Sequence, residues 1–212
     1  MIFEDRDDAA RQIIPLLQTY KDEDAVVLSV PRGGVPIGYH IAMAYHFPMD
    51  ILLTKKIGFP GNPELAVGAV SLEDEVLDDR FTMDPEYIEQ ETVTIRKALR
   101  DRYKTFMGDR QPVDLEGKTV IIVDDGIATG NTIIAAIRMI RKRKPLKIVV
   151  AVPVAPFRTV VKLRELVDDL ICVSAPEDFY GVGQFYSDFT QVSDAEVVQL
   201  LKEAAGHAAA FK

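Results

Sequence analysis

The sequence predicts an α/β fold built on a doubly wound parallel sheet. Short runs of valine, isoleucine and leucine alternate along the chain with longer segments that have helical periodicity. The run at residues 120–123 is continuous rather than alternating in polarity, which is typical of a strand buried on both faces of a parallel sheet. Strands that alternate with helices in this way favour a sheet with helices on both faces.

The composition narrows the possible functions. The chain has 212 residues, 48% of them hydrophobic, and a formal net charge of −8, which argues against a nucleic-acid partner. Its single cysteine, Cys172, lies in an apolar run, which indicates packing rather than catalysis. The N-terminus lacks the pattern of a signal peptide, and no apolar run approaches the ~20 residues that a membrane span needs. We therefore expect a cytoplasmic protein with no membrane partner.

The N-terminal segment predicts a helix followed by a strand. Residues 5–20 have helical periodicity, but Pro15 comes late enough to kink the helix or end it early. Residues 25–30 then form the first apolar strand of the predicted sheet.

A glycine-rich turn, PRGG at residues 31–34, separates this strand from a helix predicted over residues 35–45. Gly33 and Gly34 let the backbone approach a ligand closely, and Arg32 adds forked donors for a phosphate. By itself such a turn is more often an ordinary tight turn, so a ligand role needs support from elsewhere in the chain.

Two lysines follow the next predicted strand, residues 49–54. Lys55 and Lys56 lie where the strand ends, and such a pair usually marks a solvated edge. At the carboxyl edge of a parallel sheet, however, the same pair could supply counter-charge to an anionic ligand. Both interpretations stay open.

Residues 58–83 have an uneven pattern. They comprise a loop rich in glycine and proline at 58–63, a predicted strand at 65–71, and an acidic, irregular stretch at 72–83. Glycine and proline hinges beside a polar, uneven segment fit a mobile lid.

A long helix is predicted to begin at Pro85, with Asp84 as its N-cap, and to run to about Met107. Its apolar stripe is narrow, so we expect the helix to be peripheral or to pair with a partner subunit. The stripe consists of Ile88, Ile95, Leu99 and Phe106. Residues 108–117 then link it to the next strand.

The stretch at residues 119–132, TVIIVDDGIATGNT, carries the strongest chemical signal in the chain. A buried strand runs into Asp124 and Asp125 and then into a turn of small residues at the start of a helix, where backbone N–H groups and the helix dipole favour a phosphate. Two carboxylates would repel that phosphate unless they face ribose hydroxyls or a Mg²⁺ ion. A sugar phosphate that carries a pyrophosphate satisfies both demands.

The remaining core elements continue the alternation. A helix with a basic last turn, RKRK at residues 141–144, ends before Pro145. This cluster suits the helix dipole better than it suits a nucleic-acid site. The elements predicted after it are a strand, a helix and a strand, at residues 146–152, 156–167 and 170–174.

The tail differs from the rest of the chain because residues 175–191 hold five aromatic side chains and two glycines. Such a loop either packs on the core or on another subunit, or offers a stacking surface to a flat ligand. Ser193 and Glu196 then form a capping box that begins a last helix.

The stretch at residues 119–132 closely resembles the PRPP (5-phosphoribosyl-1-pyrophosphate) binding motif of type I phosphoribosyltransferases, with Asn131 where many members have a second glycine. The resemblance implies that Asp124 and Asp125 contact the ribose hydroxyls and that residues 128–132 hold the 5′-phosphate. The PRPP-binding residues implied by this motif and by the PRGG turn are Arg32, Gly33, Gly34, Asp124, Asp125, Gly126, Ala128, Thr129, Gly130, Asn131 and Thr132.

The PRGG turn resembles the pyrophosphate-binding loop of the same family. That loop often uses a non-proline cis peptide bond, so we predict that the bond between Pro31 and Arg32 is cis or readily becomes so. The family also places a mobile catalytic loop near residues 58–83, which we expect to order over the pyrophosphate. The residues to which we assign a catalytic role are Asp124, Asp125, Arg32, Lys55 and Lys56. For the two lysines this role rests on their predicted place at the end of a strand.

The tail resembles the hood of 6-oxopurine phosphoribosyltransferases. The resemblance implies that Phe179 or Tyr180 stacks on the acceptor base and that Asp188 approaches Mg²⁺ through water. Residues 152–154, however, stand where those enzymes carry a lysine that reads the purine oxygen, which argues against a 6-oxopurine acceptor.

Together these features predict a single domain over residues 1–212, with a lid or insertion at about 58–110 and a hood at about 175–212, in the subgroup of predicted phosphoribosyltransferases. The function that the resemblance implies is Mg²⁺-dependent transfer of a 5-phosphoribosyl group from PRPP to a small nitrogenous base, with release of pyrophosphate. The family habit also implies a homodimer.

Two other classes of function remain as alternatives. A regulator that senses PRPP or a nucleotide on the same fold would keep the phosphate-binding turn without turnover. A phosphoacceptor domain, as in response regulators, needs an acid pair near the N-terminus, whereas Asp124 and Asp125 lie mid-chain before a TGNT turn.

Overall fold

The computed structural model describes residues 2–210, and the side chains of residues 2–208, so the predicted domain and hood extend slightly beyond the described residues. The strands are β1 (Ala25–Ser29), β2 (Met49–Ile51), β3 (Thr54–Phe59), β4 (Asn62–Ser71), β5 (Glu75–Leu77), β6 (Thr119–Val123), β7 (Lys147–Val154) and β8 (Asp169–Ser174). The α-helices are α1 (Arg6–Ile13), α2 (Gly34–Tyr45), α3 (Pro85–Met107), α4 (Asn131–Lys142), α5 (Phe157–Arg164) and α6 (Asp194–Ala210), and short 3₁₀ helices cover Ile14–Tyr20 and Val182–Phe185.

A five-stranded sheet in the order β2-β1-β6-β7-β8 forms the centre of the structure, and all of its strand pairs are parallel. Every residue of β1 and β6 is buried. Alternate strand residues face two separate cores: Val27 and Ile121 lie with α1, α2 and α6, whereas Val26 and Ile122 lie with α4 and α5. This arrangement confirms the predicted doubly wound α/β fold.

The turns that follow β1 and β6 are neighbours at the carboxyl edge of this sheet. The two strands pair in parallel with Ser29 opposite Val123, so both chains leave the sheet at the same level. From β1 the chain continues to β2 on one side, while β6 lies on the other side. Such a reversal of strand order opens the crevice where open α/β sheets bind ligands.

Residues 54–77 form a second sheet, which corrects the predicted layout of this segment. The strand predicted over residues 49–54 ends at Ile51, and Lys55 and Lys56 lie in β3 of a three-stranded antiparallel sheet, β3-β4-β5. The predicted glycine- and proline-rich loop is mainly the tight turn of the β3–β4 hairpin, with Gly61 at φ 78°. The glycine and proline residues therefore mark a hairpin rather than an open loop.

The helix α3 begins as predicted, because the Asp84 side chain accepts a hydrogen bond from the backbone N–H of Glu86 at 3.0 Å. The predicted stripe is buried, and three more residues widen it: Thr92, Tyr103 and Met107. The first half of the stripe packs on the small sheet, against Ile57, Val67 and Val70. Its last turns join the core beside α2 and α6, so the chain itself covers the face that we expected to be peripheral or paired with another subunit.

The N-terminal segment is part of the hood. Helix α1 ends at Ile13 and continues as a 3₁₀ helix, which confirms the early end predicted from Pro15. Phe3 and Tyr186 form a parallel bridge, and the N–H of Asp188 donates to the carbonyl of Glu4 at 2.8 Å. Within residues 2–210, the structure contains no helix that is both long enough and apolar enough to cross a membrane.

Candidate active site

The glycine-rich turn after β1 and the acid pair after β6 are in direct contact. A Cβ atom added to Gly33 would lie 1.9 Å from Oδ2 of Asp125, and one added to Gly34 would lie 2.5 Å from the carbonyl oxygen of Val123. The two turns therefore leave no room for a side chain at position 33 or 34, which explains the need for two glycines. The Pro31–Arg32 peptide bond is cis, as predicted.

The turn after the acid pair leads into the N-terminus of α4. Gly130 adopts φ 77°, in the left-handed region that favours glycine, and α4 begins at Asn131 with no side chain capping its first turn. Residues 128, 129, 131 and 132 are exposed, while Ile127 between the acids and the turn is buried. The exposed start of an uncapped helix offers backbone N–H groups and a favourable dipole to an anion.

The two acids are crowded and partly buried. Oδ1 of Asp124 accepts a hydrogen bond from the N–H of Asp125 at 2.9 Å. Burial, and then the neighbouring Asp125 carboxylate, raise the pKa of Asp124 well above its ordinary value. Burial also raises the pKa of Asp125, although a nearby guanidinium opposes the shift.

That guanidinium belongs to Arg6, which was not among the predicted site residues. Nε and Nη2 of Arg6 donate to Oδ2 of Asp125 at 2.9 and 2.7 Å. Arg6 is the first residue of α1, where the helix dipole disfavours a cation. That unfavourable position is the one sequence signal that could have singled it out, because 119 positions separate the two residues.

Arg32 points toward the first residue of α6. Its Nη1 lies 3.4 Å from Oδ1 of Asp194, and Arg102 donates to both oxygens of the same carboxylate at 2.6 and 2.7 Å. The hydrogen bonds from Arg102 are the largest cause that lowers the pKa of Asp194, and Arg32 adds to them. The predicted pyrophosphate-binding arginine is thus linked to α3 and α6.

The two predicted lysines are exposed on β3, and Nζ of Lys56 forms an ion pair with Glu64 at 2.9 Å across the hairpin. The sequence predicted that these lysines follow a strand of the parallel sheet, but the structure places them within the antiparallel sheet. Their catalytic role stays a prediction.

The hood aromatics divide into packed and exposed side chains. Phe179 stacks on Phe185 with ring centroids 5.4 Å apart and packs against the core. Tyr180, in contrast, is 93% exposed. The hydroxyl of Tyr186 donates to the main-chain oxygen of Asp125 at 2.7 Å, so the hood also contacts the acid pair.

Asp188 caps its own turn. Its Oδ1 accepts hydrogen bonds from the hydroxyl and the N–H of Thr190 at 2.6 and 2.9 Å, and these bonds lower the pKa of the carboxyl. An approach of Asp188 to a metal through water remains a prediction.

The donor set determines what kind of Mg²⁺ site is possible. Among the described residues, no group of three or more His, Cys, Asp or Glu side chains could hold a metal. Asp124 and Asp125 nevertheless offer two adjacent carboxylates; burial raises the pKa of both, and the Asp125 carboxylate raises the pKa of Asp124 further. These residues fit a Mg²⁺ ion that takes most of its ligands from water and from a phosphorylated substrate, as this ion commonly does.

Comparison with known proteins agrees with this geometry. The model of the phosphoribosyl transferase domain family matches residues 3–190, which include both turns, the acid pair and the first part of the hood. The chain belongs to this family. Its architecture, a parallel sheet with a small antiparallel sheet beside it, is the type I phosphoribosyltransferase fold.

Two curated relatives come from Mycobacterium tuberculosis: MT0597 of strain CDC 1551 and Rv0571c of strain H37Rv, each provisionally named a phosphoribosyl transferase. Both are 38% identical to this phosphoribosyl transferase family member over 96% of its length. The chain spans 47% of each relative, about half of their length. Among solved structures, TT1426 from Thermus thermophilus is 37% identical, with a TM-score of 0.86 over 96% of this chain and 99% of that chain.

Proposed function

We propose that the chain transfers a 5-phosphoribosyl group from PRPP to a nitrogen atom of a small base and releases pyrophosphate. The observation that carries the proposal is the contact between Gly33 and Asp125. This contact brings a glycine-rich anion loop against the acid pair that precedes the uncapped start of α4. Loop, acids and helix start correspond to pyrophosphate, ribose and 5′-phosphate, the three parts of PRPP.

Each part of the site has one task in this proposal. The N–H groups at residues 128–132 hold the 5′-phosphate, since they stand at a helix N-terminus. Asp124 and Asp125 accept hydrogen bonds from the ribose hydroxyls, and residues 31–34 hold the pyrophosphate. A bound Mg²⁺ would neutralise charge that develops on the leaving pyrophosphate. The protein's own contribution is then positioning and electrostatic complementarity rather than covalent catalysis.

Exposure favours Tyr180 over Phe179 for holding the acceptor base. Phe179 already stacks on Phe185, whereas Tyr180 offers almost its whole ring. Stacking of a base on an aromatic ring contributes roughly 1–3 kcal/mol where it has been measured in nucleic-acid binders. The acceptor is therefore proposed to be a flat heteroaromatic base. A homodimer is part of the same proposal, as the family suggests.

The experiment that tests this function is pyrophosphate release from PRPP and Mg²⁺ across a panel of purine, pyrimidine and pyridine bases. We expect release that depends on one class of base and that falls by at least about 100-fold in the Asp124→Asn/Asp125→Asn variant, because two ribose contacts are lost together. Release that is independent of any base in the panel, or equal in the variant, would contradict the proposal.

One observation favours a second candidate, a regulator that binds PRPP or a nucleotide without turnover. Arg6 engages Asp125, and Arg32 engages Asp194, so two charged groups of the site have partners within the chain. A ligand that competes for these partners could move α1 or α6. PRPP binding without pyrophosphate release for any base would select this alternative.

A further inference from the structure

Arg6 reaches from the N-terminal helix into the centre of the site. Its side chain is 12% exposed. Nη1 donates to the carbonyl of Thr190 at 2.8 Å, and the guanidinium lies 4.2 Å from the ring centroid of Phe189. The other two donors, Nε and Nη2, both bind Oδ2 of Asp125. The planar guanidinium thus contacts the Asp125 carboxylate, the Thr190 carbonyl and the Phe189 ring at the same time. A lysine ammonium has no such planar set of donors and cannot make the same contacts.

Asp125 is held on several sides by these contacts. Gly33 lies against its carboxylate, and Tyr186 donates to its main-chain oxygen. Because both Arg6 donors take Oδ2, the contact leaves Oδ1 as the oxygen for a ligand. Without the fork, the carboxylate could turn about its terminal bond, since Gly33 and Tyr186 restrain position more than rotation.

We propose that Arg6 is a positioning residue of the ribose subsite: it fixes the Asp125 carboxylate so that one defined oxygen accepts a ribose hydroxyl. This inference rests on the proposed function for the identity of the ligand. Arg6 acts through Asp125 and not on the reacting atoms. The same fork makes the position of the hood at Phe189 and Thr190 dependent on the orientation of Asp125.

The ligands for the test separate a ribose effect from a general loss of structure. Ribose 5-phosphate contains the ribose hydroxyls, whereas pyrophosphate with Mg²⁺ contains none. Removal of the Arg6 guanidinium should therefore weaken the binding of ribose 5-phosphate and leave the binding of pyrophosphate nearly unchanged. A general structural defect would weaken the binding of both ligands, because the PRGG loop packs against the Asp125 carboxylate.

The variants are Arg6→Gln, which removes charge and fork, and Arg6→Lys, which keeps the charge. Arg11→Gln is the matched control, since Arg11 lies on the same helix, is 63% exposed and pairs with Asp8. By calorimetry we expect Arg6→Gln to bind ribose 5-phosphate at least about tenfold more weakly, the effect of losing one charge-assisted hydrogen bond. Arg6→Lys should recover part of this loss, and the control should bind like the wild type.

Pyrophosphate binding should change much less than ribose 5-phosphate binding in both Arg6 variants, because residues 31–34, and not the Asp125 carboxylate, hold that anion in the proposed site. Equal loss of both ligands in Arg6→Gln, or full recovery of ribose 5-phosphate binding in Arg6→Lys, would overturn the proposal, because the effect would then be global or due to charge alone.

A crystal structure of ligand-free Arg6→Gln separates this claim from the proposed function. We expect the Asp125 carboxylate to rotate or to adopt more than one orientation in that variant. If the wild type binds neither ribose 5-phosphate nor PRPP, the proposed function fails, and the structure alone decides the role of Arg6. An unchanged Asp125 carboxylate would refute positioning whether or not the ligands bind.

Discussion

Gly33 and Asp125 lie in van der Waals contact across two turns that are far apart in the sequence. The space for a Cβ atom at position 33 is filled by the Asp125 carboxylate, with Oδ2 at 1.9 Å and Cγ at 2.4 Å. Gly33 itself has φ −61° and ψ −33°, angles that any residue adopts. Glycine is therefore required here by the close approach of the acid and not by its backbone conformation.

A methyl group at position 33 should disable the site. We expect Gly33→Ala to weaken PRPP binding by about tenfold or more, since the added Cβ displaces Asp125 from its place, and to destabilise the fold by about 1–3 kcal/mol through overpacking. Calorimetry and urea unfolding measure the two effects. Gly206→Ala is the control, because Gly206 lies in α6 and a Cβ atom added there would meet no atom within 4 Å. Wild-type PRPP affinity in Gly33→Ala would show that this contact does not shape the ligand site.

Ionisation of the Asp124 carboxyl should lower the free energy of unfolding of the protein without ligand at neutral pH. Its folded-state pKa is raised, so ionisation costs more in the folded chain than in the unfolded chain. This cost is absent below the unfolded pKa, grows as the pH rises toward the folded pKa, and is constant above it. Asp124→Asn keeps an oxygen for the N–H of Asp125 and removes the charge.

We therefore expect Asp124→Asn to exceed the wild type in free energy of unfolding by about 1 kcal/mol at neutral pH, a typical gain when a strained functional group is neutralised. Urea unfolding from pH 3 to pH 8 measures it, and the difference should vanish at the acidic end. A difference that is constant with pH, or that grows toward acidic pH, would mean that ionisation of Asp124 is not its cause.

The two adjacent hood aromatics should respond differently to truncation. Tyr180→Ala should raise the KM for the acceptor base by about tenfold, as expected from the loss of stacking, with no change in stability. Phe179→Ala should instead lower the free energy of unfolding by about 2 kcal/mol, because its ring packs on Phe185. Tyr180→Phe keeps the ring and serves as the control. Wild-type acceptor kinetics in Tyr180→Ala would place the base elsewhere.

The hairpin should be mobile at its tip and not at its base. Residues 61–66 are exposed, whereas Ile57, Val67 and Val70 are buried against α3. We expect hydrogen exchange to be slow at these three residues without ligand, and exchange at residues 58–66 to slow when PRPP and Mg²⁺ are added. Uniformly fast exchange over residues 58–83 would instead support the larger lid that the sequence pattern suggested.

Local chemical patterns predicted the parts of the molecule that depend on neighbouring residues. The continuous apolar run before Asp124 indicated a buried parallel strand, Asp84 and Pro85 marked the start of α3, and the order of strands and helices indicated a doubly wound sheet. The PRGG and DDGIATGNT turns could be placed at one sheet edge because parallel strands end at the same edge.

Features that depend on distant pairing could not be predicted in the same way. A glycine and proline cluster is compatible with a loop or a hairpin, and strand pairing decides between them, which is why Lys55 and Lys56 were assigned to the wrong element. Arg6 meets Asp125 only through the folding of the N-terminal segment onto the hood, and no local pattern encodes that contact.

Calorimetric titration of the protein with PRPP, with and without Mg²⁺, tests the central claim most directly. The wild type should bind PRPP in a saturable, Mg²⁺-dependent manner, and so should Asp22→Asn, a control at a side chain that is 88% exposed. The Asp124→Asn/Asp125→Asn variant should lose at least about tenfold in affinity, since both ribose contacts are weakened. Equal affinity of the wild type and the double variant for PRPP would contradict the assignment of the acid pair to the ribose.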